Sequence, residues 1–351
     1  MKPTSHRPSV AGKLGGTIAH EWRRESQGRD RLRSATASWV LLMLLYAAPA
    51  LALEKPVRIG VLTPAWGPPG GLDGLVQGLV DLGYRENEDF VIGVRFTQGD
   101  ISALPTAAKA MVESGVDVLL ADNEPAVKAV QEATSTHPII FLGVGDPIGR
   151  GLIASYAQPG GNATGVANLD LEVSGKRLQL FKDLILGLKR VLLPYDKHNN
   201  YDSAQAELYR TAAQRLGVVL VERQLETEDE ARAALAEVRR GDVDGILAPQ
   251  DVSLNIPGLV LEFAQKEGIP AMFASSVYLA GGGVASYGGS RDAAGRQAAR
   301  LVDKIIRGAD PAGLPVETVQ SLEFVINLKT ADELGIVVPR EVLFQADRII
   351  R

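Results

Sequence analysis

The sequence contains no cysteine and only four histidines in 351 residues. The absence of cysteine excludes disulfides, thiolate zinc sites, iron–sulfur clusters, cysteine nucleophiles and lipidation at a cysteine. Two histidines, His6 and His20, lie in a segment that we predict to be removed, which leaves His137 and His198. The histidines do not have metal-site spacing, and no G-x-S-x-G elbow or Walker-type loop occurs. We therefore predict a protein that is not an enzyme and that uses no cofactor or metal.

Aromatic residues are also scarce, at 5%, whereas 46% of the residues are hydrophobic and 23% are charged. Such a composition is typical of soluble globular proteins, and 351 residues allow two domains of ordinary size. Beyond residue 52 the chain has 29 basic and 39 acidic residues, a formal charge of −10. Because so acidic a body repels phosphate backbones, we predict no nucleic-acid partner.

The N-terminus resembles an export signal. A basic stretch ending at Arg33 precedes an uncharged run over residues 39–53, and the end of this run contains the small residues Ala50 and Ala52. The run has 15 residues, fewer than the roughly 20 that span a bilayer as a helix. We predict a signal peptide over residues 1–52, cleaved after Ala52, and a periplasmic or secreted protein that is not a lipoprotein. An uncleaved membrane anchor is the alternative.

From Pro56 onward, short β-branched runs alternate with helical patterns, and the same alternation restarts after Gly165. Strands that alternate with helices indicate βαβ units and parallel sheets covered on both faces. The two half-chains share this plan, and a Gly/Pro-dense segment over residues 158–165 separates them. The sequence therefore predicts an α/β protein of two lobes.

Ligands of open parallel sheets bind beyond the carboxyl ends of the strands. We therefore expect the binding residues in the loops that follow the predicted strands. The side chains chosen there are Trp66, Asn123, Glu124, Asp146, Asp170, Tyr195, Asp251 and Ser275. Helix capping and turn formation are the alternative roles for each polar one. Trp66 alone has a different pair of interpretations, stacking on a planar ligand or packing on its own lobe.

Five segments carry a family resemblance: residues 82–87 (LGYREN), 145–155 (GDPIGRGLIAS), 158–166 (QPGGNATGV), 280–288 (AGGGVASYG) and 322–331 (LEFVINLKTA). With them, residues 57–350 resemble the ABC-transporter substrate-binding proteins typified by tryptophan- and tyrosine-binding members. The resemblance implies a type I periplasmic-binding fold, with two Rossmann-like lobes of parallel sheets joined by a three-strand hinge. The implied lobes are residues 55–165 plus 288–315, and residues 166–287 plus 316–351.

The resemblance further implies a monomer that closes on a small molecule between its lobes and presents the closed form to an ABC permease and its ATPase. An amino acid, or a related amine or aromatic solute, is the implied ligand. Asp146 and Ser275 match polar positions of the family, whereas Glu124 stands where many relatives have small or hydroxyl residues. Glu124 would repel a ligand carboxylate, which leaves a neutral, amine-bearing or sugar-like ligand as the alternative to an amino acid. A periplasmic sensor subunit for a signalling receptor is the alternative function.

Overall fold

The computed structural model describes residues 56–65, 70–249 and 254–351. The predicted signal peptide, residues 1–52, lies outside these ranges, as do Trp66 and Asp251. No helix among the described residues is long and apolar enough to cross a bilayer.

The first sheet consists of parallel strands from both ends of the described chain. Its order is β11-β5-β4-β3-β1-β2, and each neighbouring pair is parallel. The strands are β1 (Val57–Thr63), β2 (Phe90–Phe96), β3 (Val118–Asp122), β4 (Ile139–Val144), β5 (Ala163–Ala167) and β11 (Glu317–Thr318).

The second sheet has the order β13-β12-β10-β9-β8-β6-β7. Its strands are β6 (Arg190–Asp196), β7 (Val219–Leu225), β8 (Gly245–Leu247), β9 (Ala271–Phe273), β10 (Ala285–Gly289), β12 (Leu322–Asn327) and β13 (Arg348–Ile350). The prediction of parallel sheets is wrong at one pair, because β10 and β12 are antiparallel. The chain leaves β10 for the first sheet and returns from β11 into β12 at the same edge, so the two strands run in opposite directions.

Helices connect the strands and cover the sheets. They are α1 (Leu72–Asp81), α2 (Leu104–Glu113), α3 (Glu124–Ala133), α4 (Asp170–Leu184), α5 (Asn200–Leu216), α6 (Glu228–Glu237), α7 (Ile256–Glu267), α8 (Arg291–Ile306), α9 (Leu328–Glu333) and α10 (Arg340–Leu343). In the first sheet, α1 and α8 pack together, as do α2 and α3. In the second, α4 packs against α5 and α6 against α7.

Alternating side chains along each central strand fill two different cores. In β3, Val118 and Leu120 pack with α1 and α8, whereas Leu119 and Ala121 pack with α2 and α3. Successive residues of a strand point to opposite faces of the sheet, so a strand covered on both faces is apolar throughout. All five residues of β3 are buried, which confirms the predicted sheet covered on both sides.

The chain passes between the sheets three times: from β5 to α4, from β10 to α8, and from β11 to β12. Backbone hydrogen bonds join these passages. The amide of Ser290 donates to Ser321 O at 2.8 Å, and that of Val319 to Ala167 O at 2.9 Å. The predicted lobe limits stay a prediction. The sheet pairing favours later limits, because β5 runs to Ala167 and β11 pairs with it in the first sheet.

Close packing of α1 on α8 supplies a stability prediction. A Cβ at Gly74 would lie 2.1 Å from the carbonyl oxygen of Asp292, a backbone atom that cannot swing aside. We expect Gly74→Ala to lower the free energy of unfolding by about 1–3 kcal/mol, because overpacking outweighs the gain in helix propensity. Chemical denaturation measures this loss. The matched control is Gly175→Ala in α4, whose Cβ would meet nothing nearer than 3.6 Å. It should gain about 0.5–1 kcal/mol, and equal effects of the two variants would contradict the packing.

Candidate functional site

A cavity of about 820 Å³ lies between loops that belong to the two sheets. On the side of the first sheet its wall is made by the start of α2, one face of α3 and the loop after β4. On the side of the second sheet it is made by the first turn of α4, the loop after β6 and the first turn of α5. These are carboxyl ends of parallel strands and the helix N-termini that follow them, as expected for an α/β ligand site.

Two of the predicted residues, Glu124 and Asp146, line this cavity. Glu124 is the first residue of α3. Asp146 has a positive φ of 47°, and its Oδ1 accepts a hydrogen bond from the amide of Gly149 at 2.9 Å. Asp146 therefore shapes its own turn as well as facing the cavity.

Four other predicted residues do not belong to the wall of this cavity: Asn123, Asp170, Tyr195 and Ser275. Asn123 adopts the unusual backbone angles φ 74° and ψ 158° immediately before α3. Ser275 is buried after β9, and its Oγ has no hydrogen-bond partner among the described residues. The Tyr195 hydroxyl donates to Glu222 Oε2 at 3.0 Å and accepts from Arg210 and Gln224.

Tyr195 thus belongs to a saturated polar cluster beside β7, while its neighbour Asp196 lines the cavity. Because side chains alternate along a strand, the two residues at the end of β6 point to opposite sides. The sequence predicted Tyr195 as a ligand contact, whereas Asp196, the next residue of β6, is the one that lines the cavity. Trp66 and Asp251, the remaining candidates on the loops, fall outside the described residues.

The charge of Glu124 is compensated by two cations. Its carboxylate forms ion pairs with Arg150 and with Lys128, the latter at 2.5 Å. The side chains of Arg150 and Glu124 are only 10% and 16% exposed. Nε of Arg150 also donates to Gly145 O at 2.9 Å. The Glu124 charge, which we expected to repel a ligand carboxylate, is therefore compensated by Arg150 from the loop after β4 and by Lys128.

The Arg150 guanidinium lies over the ring of Tyr201, 4.5 Å from its centre. Tyr201 belongs to α5, which follows β6 of the second sheet, whereas Arg150 follows β4 of the first. A Cβ at Gly145 would lie 2.2 Å from Tyr201 Oη. The Tyr201 ring therefore packs directly against the Gly145 backbone, where any side chain would clash with it. Glu124, Arg150 and Tyr201 therefore form a direct contact between the two halves.

Asp170 and Arg177 form an ion pair behind this contact. Asp170 begins α4, and its Oδ1 accepts from Arg177 Nη2 at 2.8 Å, with both side chains at most 2% exposed. Nη1 and Nε of Arg177 donate to Tyr209 Oη and Tyr287 O at 2.8 and 2.7 Å. Burial raises the pKa of Asp170, against the attraction of Arg177. Burial, reinforced by the Asp170 charge, also holds the pKa of Tyr201 well above its usual range.

A second buried carboxylate, Asp122, ends β3 on the side of the first sheet. Its Oδ1 accepts from Arg291 Nη2 at 2.6 Å, and its Oδ2 from Thr63 Oγ1 at 3.2 Å. Arg291 begins α8, directly after the second passage between the sheets. An ion pair with a buried carboxylate therefore lies on the side of each sheet, between Asp122 and Arg291 on the first and between Asp170 and Arg177 on the second.

Four residues around the site were not predicted from the sequence: Arg150, Arg177, Tyr201 and Arg291. Arg177 and Tyr201 lie on α4 and α5, which begin at Asp170 and Asn200. The Asn199 side chain accepts from the amides of Tyr201 and Asp202, a helix N-cap that the run of two asparagines could have revealed. No local signal identifies the partners of Arg150, because they lie on other elements.

Comparisons with known proteins identify the family. The family model of ABC transporter substrate binding proteins matches residues 70–350. The chain belongs to this family. A tyrosine-binding protein of Clostridioides difficile is 26% identical over 263 residues, which are 74% of this chain and 75% of that protein. Because the family and this relative are solute-binding proteins, the prediction that the chain is not an enzyme is confirmed.

Solved structures confirm the fold of this ABC transporter substrate-binding protein. An ABC domain in complex with L-Trp from Streptococcus pneumoniae is 27% identical and has a TM-score of 0.71. A conserved domain protein from Vibrio cholerae has the same identity and TM-score. Each alignment covers 84% of this chain and 100% of the other. The predicted two-lobed, type I periplasmic-binding architecture is confirmed.

The contact of Arg150 with Tyr201 supplies a prediction about coupling between the halves. We expect Arg150→Met to lower the free energy of unfolding by about 1–2 kcal/mol, because a partly buried ion pair and a cation–π contact are lost. In a double-mutant cycle with Tyr201→Leu, the coupling energy should be about 0.5–2 kcal/mol.

The control for this cycle is Arg232→Met. Arg232 is 54% exposed and pairs with Glu228 and Glu262 on the surface, so its loss should change stability by less than about 0.5 kcal/mol. Strictly additive effects of the Arg150 and Tyr201 changes would show that guanidinium and ring do not interact in solution.

Proposed function

We propose that this protein is the periplasmic solute-binding component of an ABC importer, which binds an amino acid or a related amine or aromatic solute between its lobes. One observation carries the proposal: the cavity is walled by polar loops from both α/β halves of the chain. A small molecule held there touches both halves at once. The relatives that bind tyrosine and L-Trp support this ligand class.

Neutralisation of Glu124 supports a ligand that carries a carboxylate. A free carboxylate at the start of α3 would repel such a ligand, whereas a carboxylate paired with Arg150 and Lys128 adds no net negative charge. The residue that argued against an amino acid in the sequence therefore no longer does so.

Hinge closure is the proposed mechanism. A ligand that contacts both lobes stabilises the closed state by the difference between its affinities for the closed and open states. The three passages between the sheets are the proposed hinge. We propose that the closed form is a monomer recognised by a membrane permease and its ATPase, so that contact with the membrane is made only through the permease. No covalent step and no cofactor are required.

Ligand binding tests this function directly. We expect L-tyrosine or L-tryptophan to stabilise the purified protein in a thermal-shift assay, by about 2.7 kcal/mol at a hundredfold excess over Kd. The radius of gyration from small-angle X-ray scattering should fall on binding. D-Glucose and free nucleosides, tested at the same concentrations, are the controls.

Two results would contradict the proposal. One is the absence of any stabilisation across all twenty amino acids and simple amines. The other is stabilisation without compaction, which would show binding to one lobe and remove hinge closure from the mechanism.

A further inference from the structure

One carboxylate oxygen at the start of α4 has no hydrogen-bond partner among the described residues. Asp170 is 2% exposed, and its Oδ1 is occupied by Arg177. Its Oδ2 is buried and unpaired within the described ranges. The Asn168 side chain lies close enough to lower the pKa of Asp170. Each of the three side-chain nitrogens of Arg177 already donates a hydrogen bond, to Asp170, Tyr209 and Tyr287. Arg177 therefore balances the charge of Asp170 without completing its hydrogen bonding.

Two more oxygens nearby share this property. Tyr201 Oη and Ser275 Oγ are buried and without partners in the described part of the chain. Burial raises the pKa of Tyr201, and the negative charge of Asp170 raises it further. A Cβ at Gly288 would lie 2.1 Å from the carbonyl oxygen of Ala274 and 3.5 Å from Asp170 Oδ1. Asp170 therefore lies near Ala274, the residue before Ser275.

One member of this group reaches the cavity wall, and a neighbour of another does so as well. Leu171, which follows Asp170, lines the cavity, and so does Tyr201. The acids of the wall outnumber its Lys and Arg residues: Glu124, Glu132, Asp146 and Asp196 stand against Lys128 and Arg150. Both of these cations bind Glu124. A wall with more acids than cations favours a ligand that carries a positive group.

A protonated primary amine fits these observations. It carries three N–H donors and a positive charge, and charge-assisted hydrogen bonds to a carboxylate are roughly twice as strong as neutral ones. A buried carboxylate oxygen without a donor costs free energy, which such a group would recover on binding. A hydroxyl or a water molecule would satisfy one lone pair but would supply no charge.

We propose that Asp170 receives the ammonium group of the ligand through Oδ2, with Tyr201 Oη and Ser275 Oγ as its further partners, so that the protein selects solutes with a protonated primary amine. This inference rests on the proposed function and specifies the chemical class of its solute.

Matched ligand pairs test the inference without changing the protein. The pairs are L-tyrosine with 3-(4-hydroxyphenyl)propionate, L-tryptophan with indole-3-propionate, and the other amino acids with their 2-hydroxy acids. Isothermal titration calorimetry measures Kd for each compound. We expect every compound that binds with high affinity to bear the amine. Its partner without the amine should bind at least roughly tenfold more weakly.

Two variants locate the effect at Asp170. Asp170→Asn keeps an acceptor for Arg177 and removes the charge, so the preference for the amine within a pair should fall to roughly threefold or less. Tyr201→Phe removes only Oη, which has no hydrogen-bond partner in the described part of the chain. It should weaken the amine probe roughly two- to tenfold and leave the melting temperature unchanged.

Glu222→Gln is the matched control, because Glu222 pairs with Arg210 in the same half of the chain but outside the cavity wall. It should leave both affinities unchanged. Circular dichroism verifies that each variant is folded. If Asp170→Asn does not fold, the ligand pairs and Tyr201→Phe still decide the question.

Three outcomes overturn the inference. Equal binding of amine and amine-free partners removes the ammonium site but leaves the proposed function intact. So does an equal loss of affinity for both partners in Asp170→Asn, which would mark Asp170 as structural. A third outcome, binding of uncharged solutes such as sugars alone, also excludes the amine. The absence of any binding across the whole panel contradicts the proposed function itself.

Discussion

The buried ion pair between Asp170 and Arg177 is the constraint on which the site depends. Asp170 begins α4 directly after the first passage between the sheets, and Arg177 binds the backbone of Tyr287 just before the second. Removing one partner of a buried pair leaves an uncompensated charge, at a cost of about 3–5 kcal/mol. The pair therefore holds two connecting segments in register with α5, which contributes Tyr209. A carboxylate tied in this way stands in one orientation before any ligand arrives.

The carboxylates at the two ends of the site differ in how completely they are paired. At the rim, the Glu124 carboxylate is shared by two cations, and one of these extends across to Tyr201 of the other half. At the buried end, the Asp170 carboxylate forms one ion pair, and its Oδ2 has no hydrogen-bond partner among the described residues. The rim therefore contributes to contact between the halves, whereas the buried end keeps capacity for a further donor. That division assigns closure and selectivity to different residues.

Most of the fold could be predicted from the sequence, because it depends on patterns local to each element. Continuous apolar runs such as residues 118–121 of β3 predict strands buried on both faces, and their alternation with helices predicts parallel sheets. The antiparallel pairing of β10 with β12 could not be predicted in this way. It follows from the path of the chain through the other sheet, and strand periodicity contains no information about that path.

The site was only partly predictable for the same reason. The rule that ligands bind beyond strand ends led to Glu124 and Asp146, since it needs only the end of each strand. The same rule could not show that the charge of Glu124 is compensated, because its partner Arg150 lies 26 positions away on another loop. The ligand class inferred from a carboxylate depends on the sum of the charges around it. Glu124 and Asp170 are both acids at helix starts, yet the first is fully paired and the second is not. Two acidic residues in equivalent local positions therefore have opposite implications for the ligand, and only the tertiary contacts distinguish them.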